Sequence, residues 1–291
     1  MKKPLVCVLS IVLSGTLLTG CGVHPVAREN PSVPRASHAP QLSTAASPAT
    51  SQTNPSVSPP TQSSLPSPTT LTNFPGIIQT ALISLRHRTQ ISLYAPTTYP
   101  GEAHTPLPIS VQTQTGTNPT RFYQLLFNRG GQNIGSFTVR QWPSTVVAQR
   151  HIILVTTNEP HGSPVSRAPV ILGDGIVGLQ TQWKNVEEKS IDTITWHEGR
   201  WHLIVEDPSS QVTEGVRVAQ RINTYLQTTS LPVPSTQGWV VANLSEQIVN
   251  MQVSWDHNAL TFLTASTGPW NSNLSGGYLS ALDMATHIQK N

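Results

Sequence analysis

The sequence predicts an α+β body: an antiparallel sheet with helices on one face, built from duplicated β-β-β-α units and carried on a disordered N-terminal stalk. Three observations predict it. Between residues 74 and 291, short β-rich runs bounded by Gly, Asn and Asp alternate with amphipathic stripes at helical spacing. Two stretches of that region match each other in order and texture. Composition also breaks sharply near residue 73, where a Pro/Ser/Thr tract without aromatics gives way to a region holding all seven Trp.

The chain starts with a short basic region, Lys2-Lys3, followed by an apolar run from Pro4 to Leu18. That run falls short of the roughly 20 residues a spanning helix needs, and it fits the apolar core of an export signal. It closes on Leu18-Thr19-Gly20-Cys21. These four residues resemble the lipobox of bacterial lipoproteins. The resemblance implies cleavage after Gly20, diacylglyceryl attachment at Cys21, and residence on the extracytoplasmic face of the cell membrane. Two acyl chains hold a protein stably at a bilayer without any apolar protein surface. The other cysteine, Cys7, lies in the segment to be discarded, so the mature protein is expected to have no disulfide and no cysteine-ligated metal.

Residues 21–73 form the expected linker. From 22 to 73 they include ten Pro, ten Ser and seven Thr, too little apolar surface to offset the entropy of ordering. As a coil this tract reaches roughly 40 Å, and fully extended about 160 Å, which makes it a stalk. The whole chain has 17 Lys+Arg against 14 Asp+Glu; without Lys2 and Lys3 the balance is 15 − 14 = +1. With no basic cluster interleaved with aromatics, nucleic acid is not an expected partner.

The body opens with a helix whose face is Ile77, Ile78, Ala81, Leu82 and Leu85. Strands follow at 91–94, 109–113, 122–127 and 134–142, with Arg129-Gly130-Gly131-Gln132 as a hairpin turn. The expected divisions are 74–170 for the first part of the body, 171–230 for one β-β-β-α unit and 231–291 for a second. In the middle unit, strands at Gly175–Leu179, Ile194–Trp196 and Trp201–Val205 lead to a helix striped by Val212, Val216, Ala219, Ile222 and Leu226, with Ser209 or Ser210 as its cap. In the last, strands at Gly238–Ala242, Val253–Trp255 and Leu260–Leu263 lead to Tyr278, Ala281, Ala285 and Ile288. Matched positions are roughly 60 to 66 residues apart, and 147–152 reads as the closing helix of a degenerate first copy. The phrases ITWHEGRWHLIV…VRVAQRI and VSWDHNALTFLTA…LDMATHI resemble, over residues 170–291, the α+β extracytoplasmic modules of anti-sigma factors and sporulation-associated lipoproteins. That resemblance implies an envelope role and carries over no catalytic residue.

Signs of chemistry are sparse. His197-Glu198-Gly199-Arg200-Trp201-His202 lacks the i, i+4 histidine spacing of a helical zinc site, and Gly199 marks a hairpin, so no metal is expected. Gly173-Asp174-Gly175 reads as a turn and Ser275-Gly276-Gly277 as a loop and cap. No Gly-x-Ser-x-Gly or Ser-x-x-Lys is present. Asp174, Glu187, Glu188, Glu206 and Asp207 are available carboxylates without a telling spacing. Trp183, Trp196, Trp201, Trp239, Trp255 and Trp270 are either core or the lining of a ligand groove. The expectation is therefore a lipid-anchored binding, sensing or scaffolding module with no cofactor and no catalytic residue. Its partners would be the membrane, through the anchor, and an envelope protein or cell-wall ligand. The alternative is a cell-wall-directed hydrolase with an unrecognised active site.

Overall fold

The computed structural model describes residues 73–101, 108–117, 120–156, 163–184, 190–208, 212–269 and 277–291. Gly20, Cys21 and the linker therefore lie outside the described residues, as do Ser209, Ser210, Glu187, Glu188, Trp270, Ser275 and Gly276.

The body is α+β. Helix α1 (Gly76–Arg86) buries Ile78, Ala81, Leu82 and Leu85, the stripe its spacing predicts. After the short β1 (Tyr94–Pro96) come β2 (Ile109–Gly116), β3 (Arg121–Arg129) and β4 (Gln132–Gln141), closed by α2 (Thr145–Thr156). The β3–β4 turn has Gly130 and Gly131 at φ of 55° and 81°, the left-handed pair that a tight hairpin requires. Next are β5 (Ser163–Gly173), β6 (Ile176–Lys184), β7 (Ser190–Glu198), β8 (Trp201–Asp207) and α3 (Val212–Thr228). The chain finishes with β9 (Gly238–Ser245), β10 (Ile248–His257), β11 (Leu260–Pro269), α4 (Ser280–Thr286) and β12 (Ile288–Lys290).

Ten strands form one sheet in the order β2-β3-β4-β11-β10-β9-β8-β7-β6-β5, and β1 pairs with β12 in a separate ribbon. Every neighbouring pair in the large sheet is antiparallel except β8–β9. That pair is joined through α3, the crossover a parallel pair demands. Strand–strand–strand–helix recurs three times in element order, with β5 added at an outer edge. The recurrence is one of order, because the three closing helices do not take equivalent places.

Side chains alternate across the sheet, so one set of residues faces a core and the other faces away. The covered face holds Tyr123, Leu125, Phe137, Val139, Ile194, Trp196, Leu203, Val205, Val240, Val253, Trp255 and Phe262, all buried. Helices α1, α3 and α4 lie on it, as does the β1–β12 ribbon, where Tyr94 meets Phe262 edge-on at 5.1 Å. Ser266 of β11 supplies the caps α4 lacks, accepting the Ala281 N–H at 2.8 Å and donating to the Tyr278 carbonyl. Helix α2 is the exception to the expected one-sided arrangement: it packs against β9, β10 and β11 from the other side. There Ile152 sits with Thr138, Ser254 and Leu263, and the His151 ring is 4.1 Å from that of Trp142.

Two local differences have clear causes. Strand β5 is invisible to strand propensity because of Pro164 and Pro169, which only an edge strand tolerates; β5 is that edge. The last helix stops at Thr286, and Ile288 enters β12 instead of completing the helical stripe. His287 and Thr286 turn back onto Asp283 there and close the helix end.

Candidate functional site

The hairpin 195–203 places the most distinctive side chains of the open face. Gly199, at φ 58°, makes the turn, and the strand period sends Trp196, Trp201 and Leu203 to the core while His197 and His202 point the other way. The two histidines are cross-strand partners, their rings perpendicular at 4.4 Å.

The parallel β8–β9 pairing adds a third ring. Arg200 donates to the carbonyls of Pro234 (2.9 Å) and Ser235 (3.1 Å), and the Gly238 N–H donates to the Arg200 carbonyl at 3.0 Å. Gly238 admits the Trp201 ring, which a Cβ there would meet at 2.5 Å. With this register fixed, Trp239 falls beside His202, stacked at 4.4 Å and 16°. The result is a row across three strands: His197, His202, Trp239.

Its surroundings are apolar. Ile204 and Val241 are half-buried beside the row. Toward the β5 edge, Ile171, Val177 and Leu179 are 72 %, 57 % and 42 % exposed. Burial, and secondarily the neighbouring His197, pushes the His202 pKa down, so its imidazole is neutral at pH 7. Burial pushes the Glu206 carboxyl up; it stands on the same face, farther along β8. The indole N–H of Trp239 is buried with no acceptor among the described residues, a costly state in a folded protein.

The tryptophans divide between the two faces. Trp196, Trp201 and Trp255 are core. Trp142, Trp183 and Trp239 are half-buried on the other side, Trp142 donating to Thr261 and Trp183 to Thr193. The carboxylates are likewise dispersed. Asp174 is the turn residue between β5 and β6, at φ 47°. Asp207 is buried and accepts the Gly215 N–H at 3.1 Å, which anchors the start of α3. Asp192 stands opposite it in the strand register, buried, accepting from Gln180 at 3.2 Å. This carboxylate pair lines neither the cavity of about 640 Å³ beside Arg88 nor that of about 420 Å³ beside Trp142.

One arrangement resembles a catalytic relay only in composition. Around Nδ1 of His287 lie the Thr286 hydroxyl (3.0 Å), the Asp283 carboxylate (3.3 Å) and the Asp283 carbonyl (2.9 Å). A relay needs nucleophile and carboxylate on opposite ring nitrogens, whereas here both compete for one. No group of three or more His, Cys, Asp or Glu suited to a metal occurs among the described residues.

Set against protein-family models, curated proteins and solved structures, the chain matches none of them. The histidines and tryptophans of the row are each visible in the sequence. Their convergence is not, because it depends on the parallel β8–β9 register across the 30 residues that separate the two strands and hold α3.

Proposed function

We propose that this protein is a lipoprotein held on the extracytoplasmic face of the cell membrane by Cys21, and that its body binds another envelope protein through the open sheet face. The observation that carries the reading is the His197–His202–Trp239 row with its exposed aliphatic flank. The rings pack against one another, so His202 and one face of Trp239 are already engaged and less flat aromatic surface is left to stack on a sugar. Ile171, Val177 and Leu179 leave apolar area in water, which a protein partner would cover. Neutral imidazole and an indole at the centre, without a strong charge, suit the composition of an interface core. A hydrolase has less support: the Asp192–Asp207 pair serves the fold, and His287 has the wrong connectivity for a relay.

Two measurements test this. Replacing Cys21 by Ser is expected to move the protein from the membrane to the soluble extracytoplasmic fraction; unchanged membrane association would sink the anchor. A photo-crosslinking residue at Val177 is expected to capture an envelope protein in cells, with capture lost on adding Leu179→Asp. Equal capture from Ile83, exposed on α1, would refute the open face as the binding surface.

A further inference from the structure

Charge in the body is segregated along the chain, although its sum is close to zero. Residues 74–173 carry seven Arg and two Glu, 7 − 2 = +5. Residues 174–291 carry six Lys/Arg and eleven Asp/Glu, 6 − 11 = −5. The positive part includes the β2–β4 end of the sheet, and there the cations surround a void.

Helix α1 ends at Arg86, and the N–H groups of Arg88 and Thr89 both turn back to the Leu85 carbonyl (2.9 and 3.1 Å). This tight exit places Arg86, His87 and Arg88 in succession at one rim of a cavity of about 640 Å³. The opposite wall is the β2–β3 hairpin end, with Thr115, Gly116, Thr117, Arg121 and Phe122. Among the described residues no Asp or Glu lines the cavity. The guanidiniums are steadied by neutral partners: Arg86 by the Asn291 amide oxygen (3.1 Å), Arg88 by the Thr113 hydroxyl (2.9 Å) and Arg121 by the Gln90 amide oxygen (3.0 Å). Each bond uses one of five guanidinium donors and neutralises no charge.

Three like charges held around one void repel one another, and a bound anion reverses the sign of that interaction. The donor set selects the anion. Guanidinium forks pair bidentately with tetrahedral oxyanions, and the hydroxyls of Thr89, Thr115 and Thr117 add further donors on the same walls. The volume exceeds that of a bare ion and is in the range of small organic ligands. Phe122, next to Arg121 in β3, turns its ring to the other face of the sheet, where it meets Arg140 at 5.2 Å and fits closely over Gly116.

We propose that this cavity is a binding site for a phosphate ester of a polyol or sugar, with Arg86, Arg88 and Arg121 on the phosphate and the hydroxyls of Thr89 and Thr115 beside them. The site is separate from the open face and does not depend on it. The same chemistry is offered by an anionic lipid headgroup and by a soluble or wall-borne phosphoester, and the two sources can be told apart.

The test uses the full chain carrying Cys21→Ser. Calorimetric titration with glycerol 3-phosphate is expected to show saturable binding that acetate does not reproduce. Arg88→Gln and Arg121→Gln should each weaken it at least roughly tenfold, the scale of one charge-assisted hydrogen bond. Arg167→Gln, exposed on β5 and outside the cavity, should leave it unchanged. Thermal unfolding of each variant checks that it folds, and the two arginine variants are independent, so the loss of one protein leaves the other informative. Flotation with phosphatidylglycerol vesicles, lost in the same variants, would assign the site to a lipid headgroup; binding in solution without flotation would assign it to a soluble or wall-borne ester. Absence of saturable binding to both, equal binding of acetate, or equal weakening by Arg167→Gln would overturn the proposal.

Discussion

The two faces of the ten-stranded sheet are written by the same strands and obey different rules. On the covered face the tryptophans are enclosed: Trp201 donates to the Pro232 carbonyl at 3.1 Å, Trp196 to Glu198 at 3.1 Å, and Trp255 stacks on Phe262 at 5.1 Å. On the open face Trp239 has a shut-in N–H without an acceptor among the described residues, and aliphatic side chains stand in water. A face optimised only for folding would show neither. The contrast separates residues that hold the body together from residues whose local cost is unexplained by folding, and the latter are where binding is to be sought.

The largest effect that tests this contrast is on the covered face. Trp255→Ala removes a buried ring that also contacts Trp201 at 6.1 Å, and should cost about 3–5 kcal/mol in denaturant unfolding. A cost near 1 kcal/mol would mean that this face is not the core. The intermediate effect is a difference in sign. Trp201→Phe loses the bond to Pro232 and should destabilise by about 1–2 kcal/mol. Trp239→Phe removes the orphaned N–H and should be neutral or stabilising by about 1 kcal/mol. If both substitutions destabilise equally, the two faces do not differ in the way described.

Much of the fold is legible in the sequence where local chemistry decides. Gly130-Gly131, Asp174-Gly175 and Gly199 mark turns because few other residues adopt their backbone angles, and each is a hairpin in the structure. The α1 stripe is legible because five apolar residues keep one helical face. Three features are not legible, for physical reasons. Alternation reveals that Trp196 and His197 point in opposite directions, but not which direction is the core. A helical stripe in α2 reveals an apolar side, but not that it serves the far face of the sheet. Pro164 and Pro169 hide β5 because propensity cannot know that a strand will lie at an edge. The cationic cavity is a different case: its signal, the +5 and −5 halves, is present in the residue counts and vanishes when they are summed.

The smallest expected effect concerns pH, and it also separates the faces. Burial, and then His197, lowers the His202 pKa from its ordinary 6.5; burial, and then Arg140, lowers that of His151 on α2. Both groups lie on the side away from the main core. A histidine whose folded pKa is below its unfolded value is protonated first in the unfolded chain. Its contribution is therefore fully present above about pH 6.5 and declines as pH falls from there to the folded value, below which it is constant. Glu206 has the opposite dependence: burial raises its pKa from 4.5, so stability falls as pH rises from 4.5 to the folded value and is level beyond it. The two histidines should thus pull the unfolding midpoint down between pH 7 and pH 5 while Glu206 opposes them, so His202→Gln or His151→Gln should each raise the midpoint at pH 5 relative to pH 7. Glu206→Gln should raise the midpoint at pH 7 and leave it nearly unchanged at pH 4, since the carboxyl is then protonated in both states. If all three variants keep the parent's pH profile, the open face carries no titration linked to folding, and acid sensitivity must come from groups elsewhere in the protein.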